Sequence, residues 1–301
     1  MMQKIKKLLV KYREPITYIL AGGGTTAVAW GYADQAIMDQ VSFEVKFFLS
    51  PDKVLAENHL LTEAVADQFS LGQEYTPIDV IYLETADRAF TSEGWVNRIR
   101  WKEGKKKPEC TCKKRYPVAG DDQASILAAL ESAAADGIDL QSESSSLQID
   151  WGYSRMTLSV AWESSGIFKD YQSLKQFSTG DAISFLSECM PAEELDWLRP
   201  GWGKDNLARA QKVGIVSFNR IKGIWEDTEV TFDITTIPLN GAEEDMVELS
   251  FKTDHYAEAA EKRRQLRGFL EENGILLEAD SLKTQMILDA GLYEVLPEAG
   301  Q

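Results

Sequence analysis

The chain has 301 residues, with 32 basic and 48 acidic side chains and a formal net charge of −16, and is long enough for one large domain or two small ones. A hydrophobic fraction of 44 % and a charged fraction of 27 % are those of an ordinary globular protein. The acidic balance excludes extended nucleic-acid binding, which needs a basic face, but leaves room for a compact cationic pocket, because net charge says nothing about local fields.

Residues 1–40 differ in texture from the rest of the chain. Lys4, Lys6, Lys7, Lys11 and Arg13 precede an apolar, Gly- and Thr-rich run from Ile16 to Trp30, shorter than the roughly 20 residues a spanning helix needs. Three readings stay open: a packed or loosely attached extension, a weak contact with a membrane surface, and a signal sequence ending near Ala27-Val28-Ala29. The stretch KYREPITYILAGGGTTAVAW also resembles the start of GtrA-type small membrane proteins. A cytoplasmic location is expected, with membrane association possible only through this segment.

From Val41 onward the pattern is that of short strands. In SFEVKFFLS, Ser42, Glu44 and Lys46 share one face and Phe43, Val45 and Phe47 the other. Ser50-Pro51 opens a helix expected to run to about Phe69, with Ser as N-cap and Pro in the first turn. Strands are expected near Asp79–Thr85 and at Trp95–Trp101, and a turn at Glu103-Gly104 leads into Glu109–Arg115 to complete a hairpin. Gln123–Ala135 reads as an Ala-rich helix ended by Gly137, Gln141–Ser146 as a loop, and Leu147–Trp162 as one or two strands. Residues 164–212 read as a helical insertion or lid; its Phe168, Phe177, Phe185, Trp197 and Trp202 suit either a cap over a ligand or its own core. Further strands are expected at Ile215–Trp225, Glu229–Thr236 and Met246–Lys252, then a charged helix over Tyr256–Glu272.

Cys110 and Cys112 point the same way along one strand and Cys189 is distant. This is no disulfide framework and suits a reducing compartment. His59 and His255 lack partner spacing.

Many short strands with interspersed helices favour a barrel or sandwich over a parallel sheet. The set Arg155, Thr157, Ser159 opposes Met156, Leu158, Val160; Thr231, Asp233, Thr235 oppose Val230, Phe232, Ile234; Glu248, Ser250, Lys252 oppose Val247, Leu249, Phe251. A sheet with one face in water and an inverted barrel with a polar interior both satisfy that alternation. The cations add a further constraint. Lys46, the pair Arg98 and Arg100, and the pair Lys113 and Arg115 lie on the polar faces of three strands. Pooled in one barrel they would repel unless a polyanion were bound, and guanidinium forks and ammonium charges match phosphate oxygens. Carboxylates on the same lining, Glu44, Asp233 and Glu248, are candidate ligands for Mg²⁺ or Mn²⁺.

These residues resemble the CYTH domains, or triphosphate tunnel metalloenzymes. SFEVKF resembles that family's opening Glu-x-Glu-x-Lys strand. IYLETADRAF…GWVNRIRWKEGKKKPECTCKKRYPV resembles its next three strands in order, VTFDITTIP…DMVELSFK its late strands, and SLKTQMIL its terminal Ser-Lys segment. The resemblance spans roughly residues 41–290. It implies an α+β fold, mainly antiparallel: a closed, eight-stranded-type tunnel barrel with a polar interior, helices outside and an insertion at about 164–212. It implies phosphate binding by Lys46, Arg98, Arg100, Lys113 and Lys283, with Arg155 a further tunnel cation, and metal binding by Glu44, Glu248 and Asp233. The expected ligand is a triphosphate- or polyphosphate-bearing small molecule. The departures are Ser42 in place of the first glutamate, Ser250 after Glu248, and Glu-Thr-Ala-Asp at 84–87. The leading expectation is metal-dependent triphosphate hydrolysis with Glu44 orienting a water. The alternatives are a tunnel that binds polyphosphate or nucleotide without turnover, and a cyclase or other pyrophosphate-releasing reaction.

Overall fold

The computed structural model describes residues 36–166, 171–239, 242–280 and 287–288. The readings of residues 1–35, of Phe168 and of Lys283 fall outside them. The strands in chain order are β1 (Val41–Leu49), β2 (Thr76–Glu84), β3 (Trp95–Lys102), β4 (Glu109–Val118), β5 (Ser145–Trp151), β6 (Met156–Ser165), β7 (Gln211–Trp225), β8 (Thr228–Leu239), β9 (Ala242–Thr253) and the short β10 (Leu276–Leu277). In space β1 is followed by β5, β6, β4, β3, β2, β7, β8 and β9, and β9 pairs back onto β1 with Val45 opposite Phe251. The barrel is therefore closed, and its edge is abolished. Nine strands close it, with β10 pairing beside the end of β1. Strand directions cannot alternate around a ring with an odd number of members, so one neighbouring pair must run parallel. That pair is β1 and β5, with Glu44 opposite Asp150.

Period-two alternation sets the two faces of the wall. Val41, Phe43, Val45, Phe47 and Leu49 of β1 point outward and are buried. Five helices of six residues or more surround the described barrel: α1 (Glu63–Gln68), α2 (Gln123–Ala135), α3 (Thr179–Cys189), α4 (Trp202–Ala208) and α5 (Tyr256–Glu272). Asp122 caps α2 by accepting from the Ser125 N–H, and Ser178 with Asp181 forms a capping box on α3. On α5, Tyr256 stacks on Trp151 and meets Phe43 edge-on, while Phe269 packs on Phe69 and Trp225. Full burial of an aromatic ring, as at Phe43 and Phe69, contributes about 1.5–3 kcal/mol.

Three expectations are corrected. The single helix over 51–69 is two pieces, Pro51–Val54 and α1. Between them the Asn58 carboxamide accepts from the Leu60 N–H, His59 takes a φ of 59°, and Leu55 bridges Leu61, so a local turn competes successfully with the helix. The aromatic insertion is no lid over the tunnel. Trp197 packs on Trp95, Phe177 on Trp101 and Trp202 on Phe90, all on the outer face of the barrel. Finally, Cys110 of β4 and Cys189 of α3 form a disulfide that ties the insertion to the wall, with Cys112 left as a buried thiol.

The inner face carries an apolar cluster beside its cations, with Tyr82 opposite Arg98 and Val96 opposite Lys113. At the end where β1 and β2 finish, Phe48, Val80, Tyr82, Val96, Val216 and Met246 make a separate apolar cluster, joined by Ile287 and Leu288 from the C-terminal segment. Toward the end where β1 and β2 begin, Ile78 and Phe218 of the same cluster lie beside the polar inner positions Thr76, Lys102 and Arg220. Met38, just before β1, belongs to the outer core, so the barrel's packing begins a few residues before Val41.

Candidate functional site

β3 and β4 place Arg98 and Thr111 opposite each other, and Lys113 and Arg115 continue the same inner row of β4. Among the described residues, Arg98, Lys113 and Arg115 have no carboxylate at ion-pair distance, and the Nε atoms of Arg98 and Arg115 are buried without a hydrogen-bond partner. The electrostatics record their convergence. Burial pushes the Lys113 ammonium down to about 8; Arg98, Lys46 and Arg115 press it further, against the pull of Asp150. Arg115 is likewise depressed by burial, with Asp150 opposing and Arg98 adding to the effect. Orphaned buried donors are costly, and three close cations raise that cost. Arg100 differs, since its guanidinium holds Glu109 across β3 and β4 at 2.6 Å.

The opposite wall is charge-balanced. The Lys46 ammonium sits 2.9 Å from both the Glu44 and the Asp150 carboxylates. Gln148 donates to the same two acids at 2.8 and 2.7 Å, and the Ser159 hydroxyl donates to Asp150 at 2.7 Å. Burial opposes the charge on Lys46, but Asp150, Glu44 and Glu248 outweigh it and raise its pKa. Burial would lift the Asp150 carboxyl, yet Lys46, Lys113 and Arg115 hold it well below the usual range. Glu44 is lowered for a similar reason, with Lys46 overcoming burial and the Asp150 charge. Arg220 of β7 grips Asp233 with two bonds of 2.7 and 2.8 Å.

The sequence-named residues therefore divide. Lys46, Arg98, Arg100, Lys113, Glu44, Asp233 and Glu248 all occupy inner positions of the barrel, and Glu248 lies opposite Asp233. Arg155 does not. It is exposed in the β5–β6 turn, where its carbonyl accepts from the Gly152 N–H, because β6 begins one residue later than the alternation suggested. The acid at Glu84 is structural: its carboxylate is buried and accepts the Thr85, Phe90 and Thr91 N–H groups at the start of the turn Ala89–Ser92. Asp150 and Arg220 are central to the lining and were not singled out in the sequence, whereas Arg115 was read there as an inner-face cation beside Lys113. The signal was there for Asp150, which opposes Leu147, Ile149 and Trp151 in a clean alternation.

A divalent ion is implied by the resemblance, so its fit to the side chains matters. Among the described residues no group of three His, Cys, Asp or Glu side chains converges as a ligand set. Glu44 is bound to Lys46 and Gln148, Asp233 to both ends of Arg220, and Ser42 donates its hydroxyl to the Leu147 carbonyl. The donor set as arranged does not fit a resident metal held by the protein alone.

No family profile matches the chain, and no curated protein matches it in sequence. Solved structures do match. The protein HpAC1 from Hippeastrum, described as an adenylyl cyclase candidate with a dominant triphosphatase activity, aligns over 86 % of this chain and 99 % of its own, with a TM-score of 0.52 and 16 % identity. An adenylate cyclase candidate from Bacillus halodurans aligns over 82 % of this chain and 97 % of its own, at a TM-score of 0.45 and 14 % identity. At such identities the first likeness establishes fold and no more. The chain has the tunnel-barrel fold of the CYTH-type triphosphate tunnel proteins.

Proposed function

We propose that the tunnel binds the triphosphate group of a small molecule and hydrolyses it as a triphosphatase. The observation that carries this reading is the cluster of Arg98, Lys113 and Arg115, buried cations with no acid of their own among the described residues. A polyanion placed among them would satisfy the orphaned guanidinium donors and remove the mutual repulsion. The same groups would stabilise charge on a transferred phosphoryl, a task that is mostly electrostatic. Glu44 is the proposed water-orienting group. Lys46 keeps it ionised, and its Oε1 has only a 3.8 Å contact with Lys252, which leaves an acceptor facing the lumen. HpAC1, described as a dominant triphosphatase on this fold, supports the reaction class.

The second reading is a tunnel that binds without turnover. It is favoured by Ser42, whose hydroxyl is turned to the backbone, and by the buried Ser250. One experiment separates the two. Phosphate release is followed over a panel of triphosphates, nucleotides and polyphosphate with Mg²⁺, with Mn²⁺ and with chelator, alongside the affinity for tripolyphosphate. Release that Glu44→Gln abolishes, with tripolyphosphate affinity kept, supports the enzyme. Binding with no release under any condition supports the second reading, and no binding at all sinks both.

A further inference from the structure

Glu44 and Asp150 are like charges held side by side. The parallel pair β1 and β5 sets Glu44 opposite Asp150 and Ser42 opposite Gln148. Two carboxylates so placed repel each other unless donors lie between them. Lys46 supplies one donor, 2.9 Å from Glu44 Oε2 and 2.9 Å from Asp150 Oδ1. Gln148 supplies the other, its Nε2 donating to the same two oxygens at 2.8 and 2.7 Å. Each acid therefore commits one oxygen to a shared bridge. The Ser159 hydroxyl donates to the second oxygen of Asp150 at 2.7 Å. The second oxygen of Glu44 has, among the described residues, only Lys252 at 3.8 Å.

The Gln148 carboxamide fits this place in one sense only, because its nitrogen donates and its oxygen accepts. Lys252 of β9, opposite Glu44, donates to Gln148 Oε1 at 3.1 Å. A flipped amide would set its oxygen against two carboxylates and its N–H groups against an ammonium. Lys252 on one side and the two acids on the other thus fix the side chain. The charged groups around Glu44 are Lys46 on its own strand, Asp150 on β5, Lys252 and Glu248 on β9, and Arg220 on β7. Lys113 and Arg115 of β4 act on Asp150 across the lumen. A substitution at Gln148 changes none of these groups.

We propose that Gln148 is a positioning residue of the tunnel: it clamps one oxygen of Glu44 beside Asp150, so that the other oxygen of an ionised Glu44 is presented to a water in the lumen. The assignment rests on the triphosphatase reading, in which Glu44 orients that water. Gln148 acts through Glu44 and takes no contact with the phosphates.

The test follows tripolyphosphate hydrolysis by the full chain as a function of pH, under whichever of Mg²⁺, Mn²⁺ or chelator supports the wild-type rate. Gln148→Leu removes the donor and keeps the bulk. Its kcat should fall at least about tenfold with KM within about twofold, because the substrate's charge is met by Arg98, Lys113 and Arg115. The acid limb of the kcat profile should move up by about one pH unit, since a hydrogen bond to the ionised form holds a carboxyl pKa down and its loss lets it rise. Gln148→Glu, nearly isosteric, sets a third acid beside Glu44 and Asp150 and should move the limb at least as far. It serves as the test should the leucine variant not fold. A residue that only supported the seam between β1 and β5 would lower the melting temperature and leave the limb in place. An unmoved limb, a kept kcat, or a raised KM with kcat unchanged overturns the role of Gln148 and leaves the triphosphatase reading standing. If wild type hydrolyses no triphosphate, that reading and this assignment fall together.

Discussion

The two walls of the tunnel carry the same kinds of side chain and use them differently. On the wall formed by β1, β5, β7 and β8, each cation has its acid: Lys46 with Glu44 and Asp150, Arg220 with Asp233. On the wall formed by β3 and β4, Arg98, Lys113 and Arg115 have none within ion-pair reach among the described residues. Burying charge is tolerated when it is paired and costly when it is not. The paired wall thus supports the fold, and the unpaired wall stores an electrostatic cost that a bound polyanion would relieve. An inventory of tunnel cations would treat the two alike.

If this contrast is right, the walls will fail differently. Asp150→Ala leaves Lys46 with Glu44 alone and removes the strongest acid pull on Lys113 and Arg115, so urea denaturation should show a loss on the order of 3–5 kcal/mol. Arg98→Ala should leave stability unchanged or slightly raised, yet cost triphosphate binding on the order of 2–5 kcal/mol in calorimetry. A variant of either wall that damaged stability and binding equally would erase the distinction.

The outer wall offers a second contrast in stability. Glu194 is fully buried against β3, accepts from the Asn97 carboxamide at 2.6 Å, and is pushed up to about 8 by burial, with Asn97 and Cys112 opposing and the Glu84 charge reinforcing the rise. A folded-state pKa above the unfolded one means that its contribution is present at acid pH and is lost as pH rises through about 8. Glu194→Gln, which keeps the bond to Asn97, should remove this slope and stabilise the protein above neutrality by about 1–3 kcal/mol in thermal or urea melts. A smaller effect belongs to Lys113. With its ammonium at about 8 in the empty tunnel and raised when a polyanion binds, tripolyphosphate affinity should fall above that pH. The loss is at most about tenfold per pH unit, and Lys113→Arg should flatten the profile. A profile unchanged by that substitution would remove Lys113 from the site.

Much of this was legible in the chain. Alternation in FDITT and VELSF assigned the faces of β8 and β9, and the pairs at Arg98/Arg100 and Lys113/Arg115 marked the inner cations, because side chains two apart on a strand must share a face. What alternation could not reveal was pairing across strands. That Asp150 lies beside Glu44 depends on the parallel contact of β1 with β5, between residues far apart in sequence. The neutralisation of Asp233 by Arg220 depends likewise on the register of β7 on β8. Arg155 was misplaced because periodicity does not say where a strand begins. Nothing in the spacing of Cys110 and Cys189, 79 residues apart, signalled their bond.

The most direct measurement compares tripolyphosphate binding, by calorimetry at neutral pH, in wild type, in Lys113→Gln with Arg115→Gln, and in Lys252→Gln. Lys252 is exposed at the mouth of the paired wall, where it holds Gln148 at 3.1 Å. The contrast between the walls predicts micromolar or tighter binding to wild type, its loss in the Lys113/Arg115 variant, and little change in Lys252→Gln. Equal losses in the two variants, or wild-type binding that survives the removal of Lys113 and Arg115, would contradict it.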